Sequence, residues 1–78
     1  MQDENEQKIR QIMADIFRLD PRRIDATTAM DNTPAWDSTN HISLVLALEE
    51  EFSIAFDVTD IETMLSFPAV TRAVAARI

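Results

Sequence analysis

Ile9, Ile12, Met13, Ile16 and Phe17 recur at separations of three, four, seven and eight, the spacing of one helical face. Glu4, Lys8, Arg10, Asp15 and Arg18 take positions off that face. The pattern predicts a first helix from Asp3 or Asn5 to about Leu19, because Pro21 turns Asp20 away from helical geometry. Leu19 to Trp36 shows no sustained period and is rich in Asp, Asn, Thr and Pro, which predicts a long loop. Ile24 and Met30 are its apolar anchors. From Ser38 to Phe52 a second helix follows, with Asp37 or Ser38 as its cap. Leu44, Val45, Leu48 and Phe52 form a stripe suited to a core. Ile42 and Leu46 stand four and eight residues after Ser38 and form a second stripe running down from the serine. Thr59-Asp60-Ile61-Glu62 reads as a capping box that opens a short third helix, followed by Met64 and Leu65. Ser66-Phe67-Pro68 opens a fourth, whose inward face is Val70, Ala73, Val74 and Ile78. The expected architecture is all-α: one domain over residues 1–78, a four-helix bundle with a long loop between the first and second helices and a short third helix.

Composition narrows the function. The 78 residues contain neither Gly nor Cys, so phosphate-cradling glycine loops, disulfides and thiolate metal sites are all excluded. One His and scattered carboxylates predict no metal site. Seven basic against fourteen acidic residues leave a net charge of −7, which disfavours nucleic acid and anionic membranes as partners. The opening Met1-Gln2-Asp3-Glu4-Asn5-Glu6 is acidic where a signal peptide is basic. No apolar run approaches the ~20 residues of a membrane span. The expectation is a soluble, cytoplasmic protein with no membrane insertion. Ile24 to Thr71 carries no Lys or Arg, while Asp25, Asp31, Asp37, Glu49, Glu50, Glu51, Asp57, Asp60 and Glu62 lie within it. One side of the domain is therefore expected to be acidic and suited to basic partners.

Asp37, Ser38 and His41 invite reading as a catalytic triad. All three fall within one helical turn, with no glycine elbow and no obvious oxyanion donors, so no catalytic residue is assigned. His41 is read as a surface residue or a partner of Asp37 one turn earlier. Trp36 is read as packing the loop against the bundle.

The segment Trp36-Asp37-Ser38-Thr39-Asn40-His41-Ile42-Ser43-Leu44-Val45-Leu46-Ala47-Leu48-Glu49-Glu50-Glu51-Phe52 resembles the modification segment of acyl carrier proteins. In that family an Asp-Ser pair opens the second helix, and an apolar run ending in acids and an aromatic follows. Length, acidity and the long first loop agree. The resemblance implies a non-catalytic carrier in which Ser38 accepts 4′-phosphopantetheine through a phosphodiester, installed from coenzyme A by a separate transferase, and the terminal thiol of the arm holds acyl groups as thioesters. A helix N-terminus suits a phosphate, and a chain without Cys must borrow its thiol. If Ser38 is modified, Asp37 is the better capping side chain. The family docks partners on its second helix, which implies Thr39, Ile42 and Leu46 as contacts and Glu49 and Glu50 as charge partners. The implied partners are a phosphopantetheinyl transferase and acyl-loading, synthase or acyltransferase enzymes with basic patches, meeting a monomer.

Several residues depart from the family pattern. Thr39 replaces the usual Leu, Asn40 and Ser43 replace frequent acids, and Ala35-Trp36 replaces a small, often Gly-containing approach. They point away from general fatty acid biosynthesis and toward a specialised lipid, polyketide or secondary-metabolite pathway. A small acidic helical adaptor that binds a basic protein without modification is the alternative.

Overall fold

A computed structural model describes the backbone of residues 2–78 and the side chains of residues 4–78. Met1 and the side chains of Gln2 and Asp3, part of the acidic opening and the expected start of the first helix, lie outside the described residues. The order is α1 (Gln2–Phe17), 3-10 turns at Pro21–Arg23 and Met30–Asn32, α2 (Ser38–Phe52), α3 (Val58–Thr63) and α4 (Phe67–Ala75). This is the four-helix arrangement with a long first connection and a short third helix.

Helix ends in a chain without glycine must be closed by other residues. Arg18 and Ser53 take the left-handed conformation usually given to Gly, with φ of 57° and 55°. Leu19 N–H then donates back to Ala14 O at 3.0 Å, and Ile54 N–H to Glu49 O at 3.1 Å, which closes α1 and α2. The left-handed residue at Arg18 stops α1 at Phe17, two residues before Leu19.

The core gathers Ile9, Met13 and Phe17 from α1, Leu44, Val45 and Leu48 from α2, and Phe67, Val70 and Val74 from α4. Phe52 of the expected α2 stripe packs against this cluster but is only half-buried. Ile78 was expected to be inward; α4 ends at Ala75, and Ile78 is 59% exposed. Phe67 is buried in the first turn of α4 instead. Ser66 caps that helix by accepting from Ala69 N–H at 3.2 Å, and Pro68 stands in its first turn, as the sequence predicts.

The long loop is pinned to this core at several points. Ile24 and Trp36 are buried, Met30 is half-buried, and Arg10 Nε donates to Ile24 O at 2.9 Å. Further along, Met30 N–H donates to Leu65 O at 2.8 Å and Phe67 N–H to Thr28 O at 2.9 Å. These bonds form a small antiparallel bridge between the loop and the linker before α4. The Trp36 ring stacks on Phe17 at 5.2 Å between centroids. That contact sets the height at which the chain enters α2.

Candidate functional site

The start of α2 is built by the residues that flank Ser38. Asp37 is the cap: its carboxylate accepts from Asn40 N–H at 2.8 Å. Asn40 Nδ2 donates back to Ala35 O at 2.7 Å. Trp36 Nε1–H donates to His41 Nδ1 at 3.0 Å. The backbone from Ala35 to His41 is thus cross-linked by side chains on either side of the serine.

Ser38 itself is exposed at the first position of the helix. Because Asp37 supplies the cap, the Ser38 hydroxyl makes no hydrogen bond among the described residues. The first turn of α2 contains no acidic residue. An accessible hydroxyl, free of capping duty, beside first-turn N–H groups and the positive end of a helix suits a phosphodiester. A buried hydroxyl, or one committed to Asn40 N–H, would not.

His41 lies elsewhere than expected. It is 7% exposed, and both ring nitrogens are engaged. An indole N–H can only donate, so Nδ1 is the acceptor, and Nε2 carries the hydrogen it gives to Ile61 O at 2.8 Å. Neither nitrogen is left for Ser38 or Asp37. The ring turns inward because its partners, Trp36 in the loop and Ile61 in α3, are brought to it by tertiary packing. The spacing does carry a signal for the burial, since His41 stands three, four and seven residues before Leu44, Val45 and Leu48 on the inward face of α2; only its hydrogen-bond partners are out of reach of periodicity.

Ile42 and Leu46, one turn apart, are 53% and 60% exposed, while Leu44, Val45 and Leu48 are buried. Thr39 and Glu50 are exposed as well. Glu49 is half-buried, and its Oε2 accepts from Phe56 N–H at 2.8 Å, so this carboxylate also anchors the turn after α2. One exposed apolar residue escaped the sequence reading: Val58, 69% exposed at the first position of α3.

The cap of α3 is itself a correction. Asp57 accepts from Asp60 N–H at 2.8 Å, and Asp60 Oδ2 accepts from Asp57 N–H at 3.3 Å. The capping box is Asp57 with Asp60, two residues before the Thr59 and Glu62 that the sequence suggested. Arg77 reaches both carboxylates, at 3.2 Å for Asp57, and so places one positive charge within the acidic region. The Asp60 N–H, with Arg77 adding, holds the Asp57 carboxyl below the usual carboxylate range. Asp60 foremost, with Asp57 adding, raises the Arg77 guanidinium above its ordinary value.

A groove of ≈ 310 Å³ runs between α1 and α4, with Ile9, Val74 and Ile78 among its walls. It includes no residue of the serine segment. Among the described residues no helix is long and apolar enough to cross a membrane.

A family model described as a phosphopantetheine attachment site matches residues 7–74. A solved structure from Mycobacterium tuberculosis, described as that of an acyl carrier protein, is similar with a TM-score of 0.83 and 30% sequence identity. The match covers 91% of this chain and 95% of that one. No curated protein matches.

Proposed function

We propose, because this chain belongs to the phosphopantetheine-binding acyl carrier protein family, that Ser38 is the residue that receives the 4′-phosphopantetheine arm. The observation that carries this reading is the division of labour at the head of α2: Asp37 takes the capping bond, and the exposed Ser38 hydroxyl is left free. In loading, Ser38 Oγ loses its proton and forms a P–O bond as the pyrophosphate linkage of coenzyme A breaks, releasing 3′,5′-adenosine bisphosphate. The arm supplies a terminal thiol on which acyl groups ride as thioesters. The protein's own work is to hold the serine outward, offer first-turn N–H groups to the phosphate, and present a surface that enzymes can grip.

That surface is formed by Thr39, Ile42 and Leu46 on α2, joined by Val58 on α3, with Glu50 and the outer oxygen of Glu49 as charge partners. Desolvation of the apolar strip holds a partner, while exposed ion pairs mainly speed and orient the encounter. Docking of this kind is brief, as a carrier visiting several enzymes requires. Acyl carrier proteins meet phosphopantetheinyl transferases and acyl-handling enzymes. With Thr39, Asn40 and Ser43 at the head of α2, this surface is less greasy and less acidic near the serine than the family pattern. The reading is therefore a cytoplasmic, monomeric carrier with partners dedicated to a specialised lipid, polyketide or secondary-metabolite route.

Incubation with coenzyme A, Mg²⁺ and a broad-specificity phosphopantetheinyl transferase, followed by intact mass measurement, tests the attachment. One phosphopantetheinyl group should be added to the wild type and none to Ser38→Ala. A wild type that stays unmodified with several transferases would instead favour the acidic adaptor.

A further inference from the structure

A helix of six residues does not hold itself together, and α3 has all of its side chains at least partly exposed. Its position is set from outside. At the N-terminal end stand the Asp57–Asp60 box and Arg77. Toward the C-terminal end, the Ile61 carbonyl belongs to the last turn, whose oxygens find no partner within the helix. His41 Nε2–H donates to it at 2.8 Å. The opposite edge of the same ring receives Trp36 Nε1–H at 3.0 Å. Trp36 stands two residues before Ser38 and His41 three after it. One rigid imidazole therefore joins the backbone on both sides of the serine to α3.

We propose that His41 is a positioning residue for the attachment reaction, coupling the presentation of the Ser38 hydroxyl to the placement of α3 through its two hydrogen bonds. The proposal rests on Ser38 being the attachment residue. The ring cannot rotate to follow a displaced α3 without giving up Trp36, because its two nitrogens are fixed relative to each other. The Trp36 bond is buried, so water does not readily replace it. Displacement of α3, where Val58 is exposed to partners, is thereby felt at the segment that carries the serine. In the other direction, a shift of the serine segment tugs on the end of α3.

Two substitutions separate the bonds. In His41→Asn the amide oxygen overlays Nδ1 and can still accept from Trp36, while the reach to Ile61 is lost. In His41→Gln the amide nitrogen overlays Nε2 and can still donate to Ile61, while the acceptor for Trp36 is lost. His41→Phe loses both. Each full-length apo protein is loaded by a phosphopantetheinyl transferase from coenzyme A, and kcat and KM for the carrier are measured. His41→Gln should lower kcat about tenfold with KM little changed, because the hydroxyl is misplaced at the reacting centre. His41→Asn should raise KM severalfold with kcat little changed, because α3 is displaced in the docking surface. His41→Phe should show both.

Nitrogen-15 NMR of the wild type supplies a readout that does not depend on how the variants fold. The imidazole should show Nε2 protonated and Nδ1 bare, and the Trp36 indole N–H should resonate downfield as a hydrogen-bonded donor. Protonated Nδ1, or rapid averaging of the two tautomers, overturns the proposal. It is also overturned if the wild type is loaded and all three variants match it, or if Asn and Gln shift kcat and KM alike in proportion to lost thermal stability. A wild type that accepts no arm defeats the attachment reading itself, and the coupling falls with it.

Discussion

Helices α2 and α3 touch through the His41 ring, yet they are held by different balances of apolar packing and polar bonds. Burial of Leu44, Val45 and Leu48 fixes α2 in the core, and moving it would open cavities. The side chains of α3 remain at least partly exposed; Ile61 packs against the edge of the core, and polar bonds at the two ends of the helix supply the rest of its anchorage. Dense packing is stiff and all-or-none, whereas a few hydrogen bonds can be exchanged for partner or solvent contacts. A carrier needs both behaviours: a fixed base for its serine, and beside it an element that can give way. The difference between the two helices supplies them without a hinge loop.

The comparison is broken most directly by attacking the better-anchored helix. Leu48→Ala should cost about 2–5 kcal/mol of global stability in denaturant melts, since it deletes a fully buried side chain. A cost below about 1 kcal/mol would mean α2 is not core-fixed in the way described.

The next effect is confined to α3. Asp57 is held below its ordinary value in the folded state, so its contribution is present above the unfolded carboxylate range and lost as pH falls through the folded value. On acidification below about pH 4, α3 amides should lose hydrogen-exchange protection before those of Leu44–Leu48. Asp57→Ala should expose them already at neutral pH. Simultaneous loss in both helices would show that they open as one unit.

The smallest effect sharpens the contrast between the two faces of α2. Ile42→Ala and Leu46→Ala should each change stability by no more than about 0.5 kcal/mol, while turnover by a partner enzyme falls. Losses of several kcal/mol would place those residues in the core.

What the sequence discloses follows the same divide. The extent of α2 is legible, because a cap at Asp37 or Ser38 and a stripe of Leu44, Val45 and Leu48 are local signals that packing reinforces; the bond from Asn40 N–H decides the cap for Asp37. The exposed pair Ile42 and Leu46 is legible too, once the core stripe is seen to be full. α3 is blurred: the sequence pattern points to Thr59 with Glu62, whereas the box that forms is the pair Asp57 and Asp60, which distant groups support. Arg77 reaches Asp57 and Asp60, and His41 fixes the far end. The inward face of His41 is legible in its spacing to Leu44, Val45 and Leu48, but its bonds are hidden, since they depend on a loop tryptophan and a carbonyl 20 residues away. Glu49 combines the two cases: its place in the acidic run is plain, but the bond to Phe56 N–H is a product of the turn. The inward reading of Ile78 assumed that α4 would continue to that residue.

The cross-links around Ser38 also decide where reach must come from. With Asn40 tied to Asp37 and Ala35, and Trp36 tied to His41, the segment around Ser38 is held in place, so an arm attached there as proposed sweeps its cargo by rotation about its own single bonds. An incoming enzyme finds its anchorage already ordered and has little chain entropy to remove there. Short visits can therefore be productive: the mast is stepped before the sail is raised.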